Sequence, residues 1–114
     1  MADFRQALRE RVVLVADGAT GTTLQRAGLP AGAAPERWNL KRPDAIRDLH
    51  RGYVAAGTDL ILTNTFGGNR YRLERDGLVD RAHEINVAAA TVAREAADGA
   101  GRVVFVAGDI GPTG

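Results

Sequence analysis

The stretch VVLVADGATG, residues 12–21, decides the fold, because it joins a continuous apolar run to a polar turn that contains two glycines. The apolar part, residues 12–16, is short, rich in β-branched side chains, and bounded by Arg11 and Asp17. Its length and its bounding residues predict a fully buried strand rather than a helix. The polar turn then stands at the carboxyl end of that strand.

Two further apolar runs of this kind, residues 60–63 and 103–107, follow along the chain. Helical patterns separate the three runs: a short one at 22–27, and long ones at 43–56 and 78–97 that Gly57 and Gly99 end. Continuous apolar strands are typical of a parallel sheet with both faces covered, and each crossover is expected to be right-handed. The order strand, helix, strand, helix, strand therefore predicts an α/β fold with parallel strands.

Small or polar residues follow each predicted strand, whereas ordinary charged residues precede them. The carboxyl ends of parallel strands share one edge of the sheet, which is where α/β proteins place their ligands. We therefore expect one polar pocket at this edge. Its candidate residues are Asp17, Gly18, Ala19, Thr63, Asn64, Thr65, Gly108 and Asp109.

The first of these turns suggests the kind of ligand. Gly18 and Gly21 leave backbone N–H groups uncovered, and such groups suit a carboxylate or a phosphate. Asp17 offers an acceptor for a cation or a hydroxyl. An anion cradle beside a carboxylate fits a zwitterion, such as a free amino acid, better than a polyphosphate. The alternative is that the glycines only make a tight turn and that Asp17 caps the next helix.

Several other functions lack a sequence signature. There is no GxGxxG dinucleotide motif, no phosphate-binding GxxxxGK[ST] loop and no DxDGT phosphatase motif. The net charge of +1 predicts no nucleic-acid partner. No apolar run approaches the roughly 20 residues that span a bilayer, and no secretory signal is present, so we expect no membrane partner and a cytoplasmic protein.

Isolated residues carry less information. The chain has no cysteine, so it can form neither a disulfide nor a thiolate metal site. His50 and His83 have no partner at metal-binding spacing, and a packed or surface role is expected for both. Core packing is also expected for Trp38. Phe66, which follows the second predicted strand, could form a pocket wall or pack against the next helix.

Six segments together resemble a known family, the homocysteine S-methyltransferases. The resemblance is closest to the bacterial betaine–homocysteine methyltransferases, and it extends to the homocysteine module of cobalamin-dependent methionine synthase. It covers about residues 11–114, nearly the whole chain. The segments, in chain order, are DGATGTTLQ, APERWN, PDAIRDLHRGYVAAGTD, LTNTFGGNRYRL, INVAAATVARE and VAGDIGPTG.

This resemblance implies a (β/α)8 barrel that transfers a methyl group to the sulfur of homocysteine and gives methionine. It implies zinc held by three cysteine thiolates, with betaine, a methylsulfonium compound or methylcobalamin as the methyl donor. Asp17 and Gly18 match family residues that hold the amino acid part of homocysteine, and Thr63 matches a threonine near that substrate. Ala19, Asn64, Thr65, Gly108 and Asp109 match other positions at the same edge.

The chain departs from the family pattern because it has no zinc cysteines and only three predicted strands. A barrel of this type needs eight strands and roughly 250 residues. We therefore expect residues 1–114 to form a single partial domain, the first three β/α units of an incomplete barrel. Such a piece has open sheet edges. We expect it to be inactive alone and to partner with the missing barrel half or another subunit.

Two alternatives belong to other classes of protein. In the first, the chain is a non-catalytic module that pairs with another chain through its open sheet edges. In the second, it is a small Rossmann-like or flavodoxin-like domain that binds a phosphate-bearing ligand.

Overall fold

The computed structural model describes residues 3–11 and 13–113. Two strands form its sheet, β1 (Leu60–Leu62) and β2 (Phe105–Ala107). They run parallel, with Leu60 opposite Phe105 and Leu62 opposite Ala107. The prediction of parallel strands connected through a helix is confirmed for this pair.

Helices make up most of the remaining regular structure. The two long ones, α4 (Pro43–Ala55) and α6 (Ala82–Asp98), pack against each other and against the sheet. Arg47 and Glu95 form an ion pair between them at 2.9 Å. The α-helices are α1 (Phe4–Glu10), α2 (Gly21–Arg26), α3 (Trp38–Lys41), α4 (Pro43–Ala55), α5 (Arg70–Leu73) and α6 (Ala82–Asp98), and the 3₁₀ turns are Pro35–Arg37, Glu74–Asp76 and Val79–Arg81.

The predicted helix 43–56 is confirmed, and its ends have clear causes. Pro43 stands in the first helical turn, where its missing N–H has no partner to lose. Gly57 follows the helix with a φ of 104°, which glycine adopts without strain. The predicted helix 78–97 is shorter at its start, because the 3₁₀ turn Val79–Arg81 precedes α6.

The predicted first strand, residues 12–16, does not form as a strand, so the third parallel strand is not confirmed. Val12 lies outside the described residues. Ala16 makes a single parallel bridge with Leu60. Val13 and Val15 are 63% and 53% exposed rather than buried. This segment pairs on one edge only, with β1, and no described element covers the outward side chains.

The core consists of two clusters of buried apolar residues. Ile61 is fully buried and belongs to the second cluster, and Tyr53, which is half-buried, packs against both. Trp38 is buried as predicted, with the Arg42 guanidinium 4.7 Å from its ring centre. The first cluster contains Leu24, Leu29, Trp38, Ala45, Ile46, Leu49 and Val92, and the second contains Ile61, Ala93, Ala96, Ala97 and Val104.

Candidate functional site

The carboxyl ends of the three predicted strands meet at one edge of the sheet. The carboxylate of Asp17 accepts a hydrogen bond from the N–H of Leu62 at 3.1 Å, which ties the first segment to the end of β1. The N–H of Asp109 donates to Oγ1 of Thr63 at 3.1 Å, which ties the end of β1 to the segment after β2. The structure therefore brings Asp17, Thr63 and Asp109 to one place.

Thr63, Thr65 and Asp109 form a closed set of hydrogen bonds. The Thr65 hydroxyl lies 2.7 Å from the backbone oxygen of Asp109 and donates to it. Its single hydrogen is then used, so the Thr63 hydroxyl must be the donor in the 2.7 Å contact between the two threonine oxygens. Both threonines are buried. Their hydroxyl hydrogens therefore hold the two loops together and are not available to a ligand.

Asp17 and Asp109 place two carboxylates at this edge. Burial raises the pKa of Asp17 above its ordinary value, and the nearby carboxylate of Asp109 raises it further, while the hydrogen bond from the N–H of Leu62 acts in the opposite direction. A positively charged ligand group would relieve both unfavourable effects. The Asp17 carboxylate accepts from β1 rather than capping a helix, since the N-cap of α2 is Thr20.

Tyr53 is hydrogen-bonded to the turn that follows Asp17. Its hydroxyl donates to the backbone oxygen of Ala19, and a Cβ added at Gly18 would lie 3.4 Å from that hydroxyl oxygen. Gly18, Ala19 and Gly108 are exposed, so their backbone can be approached from solvent. Neither Gly18 nor Gly21 has a positive φ. Glycine is therefore not needed here for the backbone conformation, and its contribution is a backbone that a ligand can approach closely.

Asn64 has a different role from its neighbours. Its side-chain amide donates to the backbone oxygen of Pro35 at 3.0 Å and to Oδ1 of Asn39 at 2.8 Å, which uses both hydrogens. The Asn39 amide in turn donates to the backbone oxygen of Asn64 at 2.9 Å. This reciprocal pair is buried. The structure therefore engages the Asn64 amide in joining two loops, away from the Asp17–Asp109 carboxylates.

Sequence reasoning did not single out two buried polar residues of the APERWN segment, Glu36 and Asn39. The Glu36 carboxylate accepts the N–H of Gly67 at 2.7 Å, and a Cβ added at Gly67 would lie 3.0 Å from it. Glu36 lies two residues before the buried Trp38 and Asn39 lies directly after it, and both are buried together with its ring. A polar residue on each side of a buried tryptophan is the signal that could have found them.

The histidines behave as predicted, and the described residues do not fit a zinc site. His50 is buried on α4, and His83 is exposed on α6. The chain has no cysteine, and residues 3–11 and 13–113 contain no group of three or more His, Asp or Glu side chains arranged to hold a metal ion. The thiolate ligands that the family implies therefore have no counterpart here.

No helix in the described part of the chain is both long and apolar enough to cross a membrane. Parallel strands with helices packed on them, and with polar side chains gathered at the strands' carboxyl ends, define an α/β protein, the class in which ligands are usually bound at that edge. A family model described as homocysteine S-methyltransferase matches residues 14–114. The chain belongs to the homocysteine S-methyltransferase family, and this membership decides against the flavodoxin-like alternative.

Two mycobacterial relatives support this assignment. The methionine synthase of Mycobacterium tuberculosis is 37% identical over 119 residues, which cover 96% of this chain and 10% of that protein. The methionine synthase of Mycobacterium leprae is also 37% identical, over 84% of this chain and 8% of that protein. The chain thus spans about a tenth of the length of these relatives.

Solved structures agree on the fold. The metallated form of the homocysteine methyltransferase MmuM from Escherichia coli superposes with a TM-score of 0.82 and 24% identity, over 95% of this chain and 41% of that one. Its oxidized form gives the same score and identity, over 40% of that chain. The chain therefore has the fold of a part of that enzyme.

Proposed function

We propose that this chain supplies the homocysteine-binding edge of an S-methyltransferase that converts homocysteine to methionine. The observation that carries the proposal is the meeting of Asp17, Thr63 and Asp109 at the carboxyl ends of the paired segments. The family membership supports homocysteine as the substrate, and both the substrate and the site residues require experiment.

The ligand's two charged groups would occupy different parts of this edge. The ammonium group of homocysteine would lie against the carboxylates of Asp17 and Asp109, whose mutual repulsion it relieves. Its carboxylate would accept hydrogen bonds from the exposed backbone at Gly18 and Ala19. Thr63 and Thr65 would position Asp109 rather than bind, because their hydroxyl hydrogens are already used. Gly108 leaves the approach open, and Asn64 holds the loop beneath.

Methyl transfer begins from the homocysteine thiolate, after the thiol has lost its proton to solvent. A bond forms between its sulfur and a methyl carbon, while the bond from that carbon to the donor atom breaks and its electron pair leaves with the donor. A donor atom with positive charge, as in betaine or a methylsulfonium compound, makes a neutral leaving group. This chain holds and orients the amino acid. It offers no cysteine to hold a zinc ion that would favour the thiolate form of the substrate. We therefore propose that it does not transfer methyl groups by itself.

Exposed apolar side chains favour a second candidate role, as a module that completes its barrel with another polypeptide or chain segment. Val13, Val15 and Val103 are 63%, 53% and 56% exposed. These valines belong to the first and third of the three runs that would form the first strands of a barrel, where the remaining β/α units would cover them. The two roles are compatible, because a completed barrel would use the same ligand edge.

The binding test is a calorimetric titration of the chain with L-homocysteine. We expect saturable binding for the unaltered chain and at least about a tenfold loss for Asp17→Asn, because one charge-assisted contact disappears. Asp80→Asn, an exposed carboxylate in the turn before α6, is the matched control and is expected to bind normally. Equal affinity of Asp17→Asn and the unaltered chain would refute the assignment of the site.

The activity test adds zinc, homocysteine and betaine to the chain alone. We expect no methionine. Methionine formation would show that residues of this chain activate the thiol, and the proposed division of labour would then be wrong.

A further inference from the structure

The turn that follows β1, residues 65–68, connects the ligand edge to the rest of the fold. The N–H of Gly68 donates to the backbone oxygen of Thr65 at 2.9 Å and closes this turn. Hydrogen bonds or close contacts join it to three other parts of the chain: the Pro35–Arg37 turn, α6 and the segment after β2. These contacts decide where the turn lies.

Asn86 anchors the turn from α6. Its half-buried side-chain amide donates to the backbone oxygen of Gly68 at 2.8 Å and to that of Ala82 at 2.7 Å, which uses both hydrogens. Ala82 is the first residue of α6, so the turn is tied to the start of that helix. A Cβ added at Gly68 would lie 2.9 Å from Oδ1 of Asn86 and 3.0 Å from the backbone oxygen of Thr65. The close approach of Asn86 therefore favours glycine at this position.

Glu36 anchors the same turn from a different element. Its buried carboxylate accepts the N–H of Gly67 at 2.7 Å. It belongs to the Pro35–Arg37 turn, whose first backbone oxygen, that of Pro35, accepts from the Asn64 amide just before the turn. Side chains from two separate elements thus hold adjacent residues of one short turn.

The turn in its own right holds the segment that carries Asp109. Residues 108–113 form neither helix nor strand. The backbone of Asp109 is bonded to the hydroxyls of Thr63 and Thr65, and it makes no other hydrogen bond within the described part of the chain. A Cβ added at Gly111 would collide with the backbone oxygen of Phe66. This segment therefore lies directly against the turn, and the place of Asp109 depends on the place of the turn.

We propose that Asn86 and Glu36 are positioning residues of the homocysteine edge. Neither forms a hydrogen bond with Asp17 or Asp109 in the described structure. They act by fixing residues 65–68, which in turn hold the Asp109 carboxylate beside that of Asp17. Two carboxylates can share one ammonium group only if supporting contacts keep both in place. The identity of the ligand rests on the proposed function, whereas the chain of contacts does not.

The first test uses NMR on the chain without ligand. Asn86→Leu has nearly the same size and no charge, but it removes both hydrogen bonds of the amide. We expect the backbone amide signal of Asp109 to shift and the pKa of Asp17 to fall below that in the unaltered chain. The reason is that Asp109, which raises this pKa, is repelled by Asp17 and moves away once the turn is released.

The second test is a calorimetric titration with L-homocysteine. Asn86→Leu and Glu36→Ala should each raise the dissociation constant at least about fivefold, because each removes a hydrogen bond that holds the turn. Glu36→Gln should stay within about twofold of the unaltered chain, because its amide oxygen can still accept from Gly67. If the unaltered chain does not bind homocysteine, the proposed function fails, and the NMR test alone decides the positioning role.

Two variants of α6 serve as controls. Thr91 is exposed and donates to the backbone oxygen of Val87 at 2.8 Å, the same bond to the preceding helical turn that Asn86 makes with Ala82. Thr91→Ala should leave the Asp109 amide and homocysteine binding unchanged. Val92 lies in the first core cluster, so Val92→Ala should lower the melting temperature. It should leave the pKa of Asp17 unchanged, which separates positioning from a general loss of stability.

Gly68→Ala tests the same link with Asn86 intact, and it decides the question if Asn86→Leu does not fold. Its added Cβ presses on the backbone oxygen of Thr65 and should also shift the Asp109 amide. An unchanged Asp109 amide in the folded variants at Asn86 and Gly68 would overturn the proposal. So would a fall in the pKa of Asp17 in Val92→Ala as large as in Asn86→Leu. Equal loss of affinity in Glu36→Gln and Glu36→Ala would assign the effect of Glu36 to its charge and contradict its positioning role.

Discussion

The carboxylates of Asp17 and Asp59 each accept a backbone N–H at one end of the short parallel pairing between the first segment and β1. The Asp59 carboxylate accepts the N–H of Val15 at 2.9 Å, and the Asp17 carboxylate accepts the N–H of Leu62 at 3.1 Å. Between them lies the single backbone bridge from Ala16 to Leu60. Two side chains thus take positions that main-chain carbonyl oxygens would occupy in a longer parallel ladder.

Asp59 stabilises the fold through this contact. The N–H of Val15, and then the Arg11 guanidinium at 2.6 Å, lower the pKa of Asp59 below its ordinary value of 3.8. Its contribution to stability is therefore present above pH 3.8 and is lost as the pH falls through the lower pKa of the folded state. We expect Asp59→Ala to lower the melting temperature more than Asp59→Asn, because the amide oxygen of asparagine still accepts from Val15. Thermal denaturation at pH 7 checks this order, and equal melting temperatures would contradict it.

His50 makes the fold sensitive to acid. It is 1% exposed, neither ring nitrogen has a hydrogen-bond partner among the described residues, and burial lowers its pKa to about 4. The unfolded chain binds a proton near pH 6.5, so stability decreases as the pH falls from 6.5 and levels off near 4. The loss is on the order of 3 kcal/mol, because the pKa falls from 6.5 to about 4 and each pKa unit corresponds to about 1.36 kcal/mol. Urea denaturation between pH 4 and pH 7 measures it.

His83 provides the matched control for that experiment, because it is exposed near the start of α6. We expect His83→Gln to retain the pH dependence of the unaltered chain and His50→Gln to lose most of it. Retention of the full dependence in His50→Gln would assign the effect to other groups.

The buried amide pair of Asn39 and Asn64 should be energetically coupled. Replacing either residue by alanine leaves buried polar groups of the other without a partner, at a cost of about 1–3 kcal/mol of unfolding free energy. The double variant should lose less than the sum of the two single variants, with a coupling of about 0.5–3 kcal/mol. Chemical denaturation of the four proteins gives this value. Strict additivity would show that the two amides act independently.

Homocysteine binding should depend on the protonation of Asp17. Its pKa is raised by burial and by Asp109, so the carboxylate becomes neutral at a higher pH than an ordinary aspartate. Affinity for an ammonium group should therefore fall as the pH decreases through this raised pKa. Saturating homocysteine should in turn lower the pKa of Asp17. Carbon NMR of the Asp17 carboxyl, with and without homocysteine, measures both values. An unchanged pKa would place the ammonium group elsewhere.

Much of the fold was predictable because strands and long helices leave strong local patterns. The helix at 43–56, the strand β1 and the parallel pairing with β2 follow from apolar runs and their bounding residues. The first segment was mispredicted, because its valines have the composition of a buried strand and yet stay exposed. Apolar composition records what a strand is suited to contact, and not whether the covering elements are present.

The candidate site was predictable only in part, because strand ends are visible in the sequence and side-chain contacts are not. Polar residues after each apolar run placed Asp17, Thr63 and Asp109 at one edge, and the geometry brings them together. The engagement of Asn64 by Asn39 depends on a contact 25 residues away along the chain. No local pattern encodes that distance.

Tyr53 has a practical consequence for attempts to engineer this chain. It packs against both core clusters while its hydroxyl holds Ala19. Substitutions in the helices that are meant to improve expression or heat tolerance can move the Tyr53 ring. Because its hydroxyl is bonded to Ala19, the turn after Asp17 would then move with it. Tyr53 should therefore be left unaltered in such libraries, and changes are better confined to the solvent-facing positions of α4 and α6.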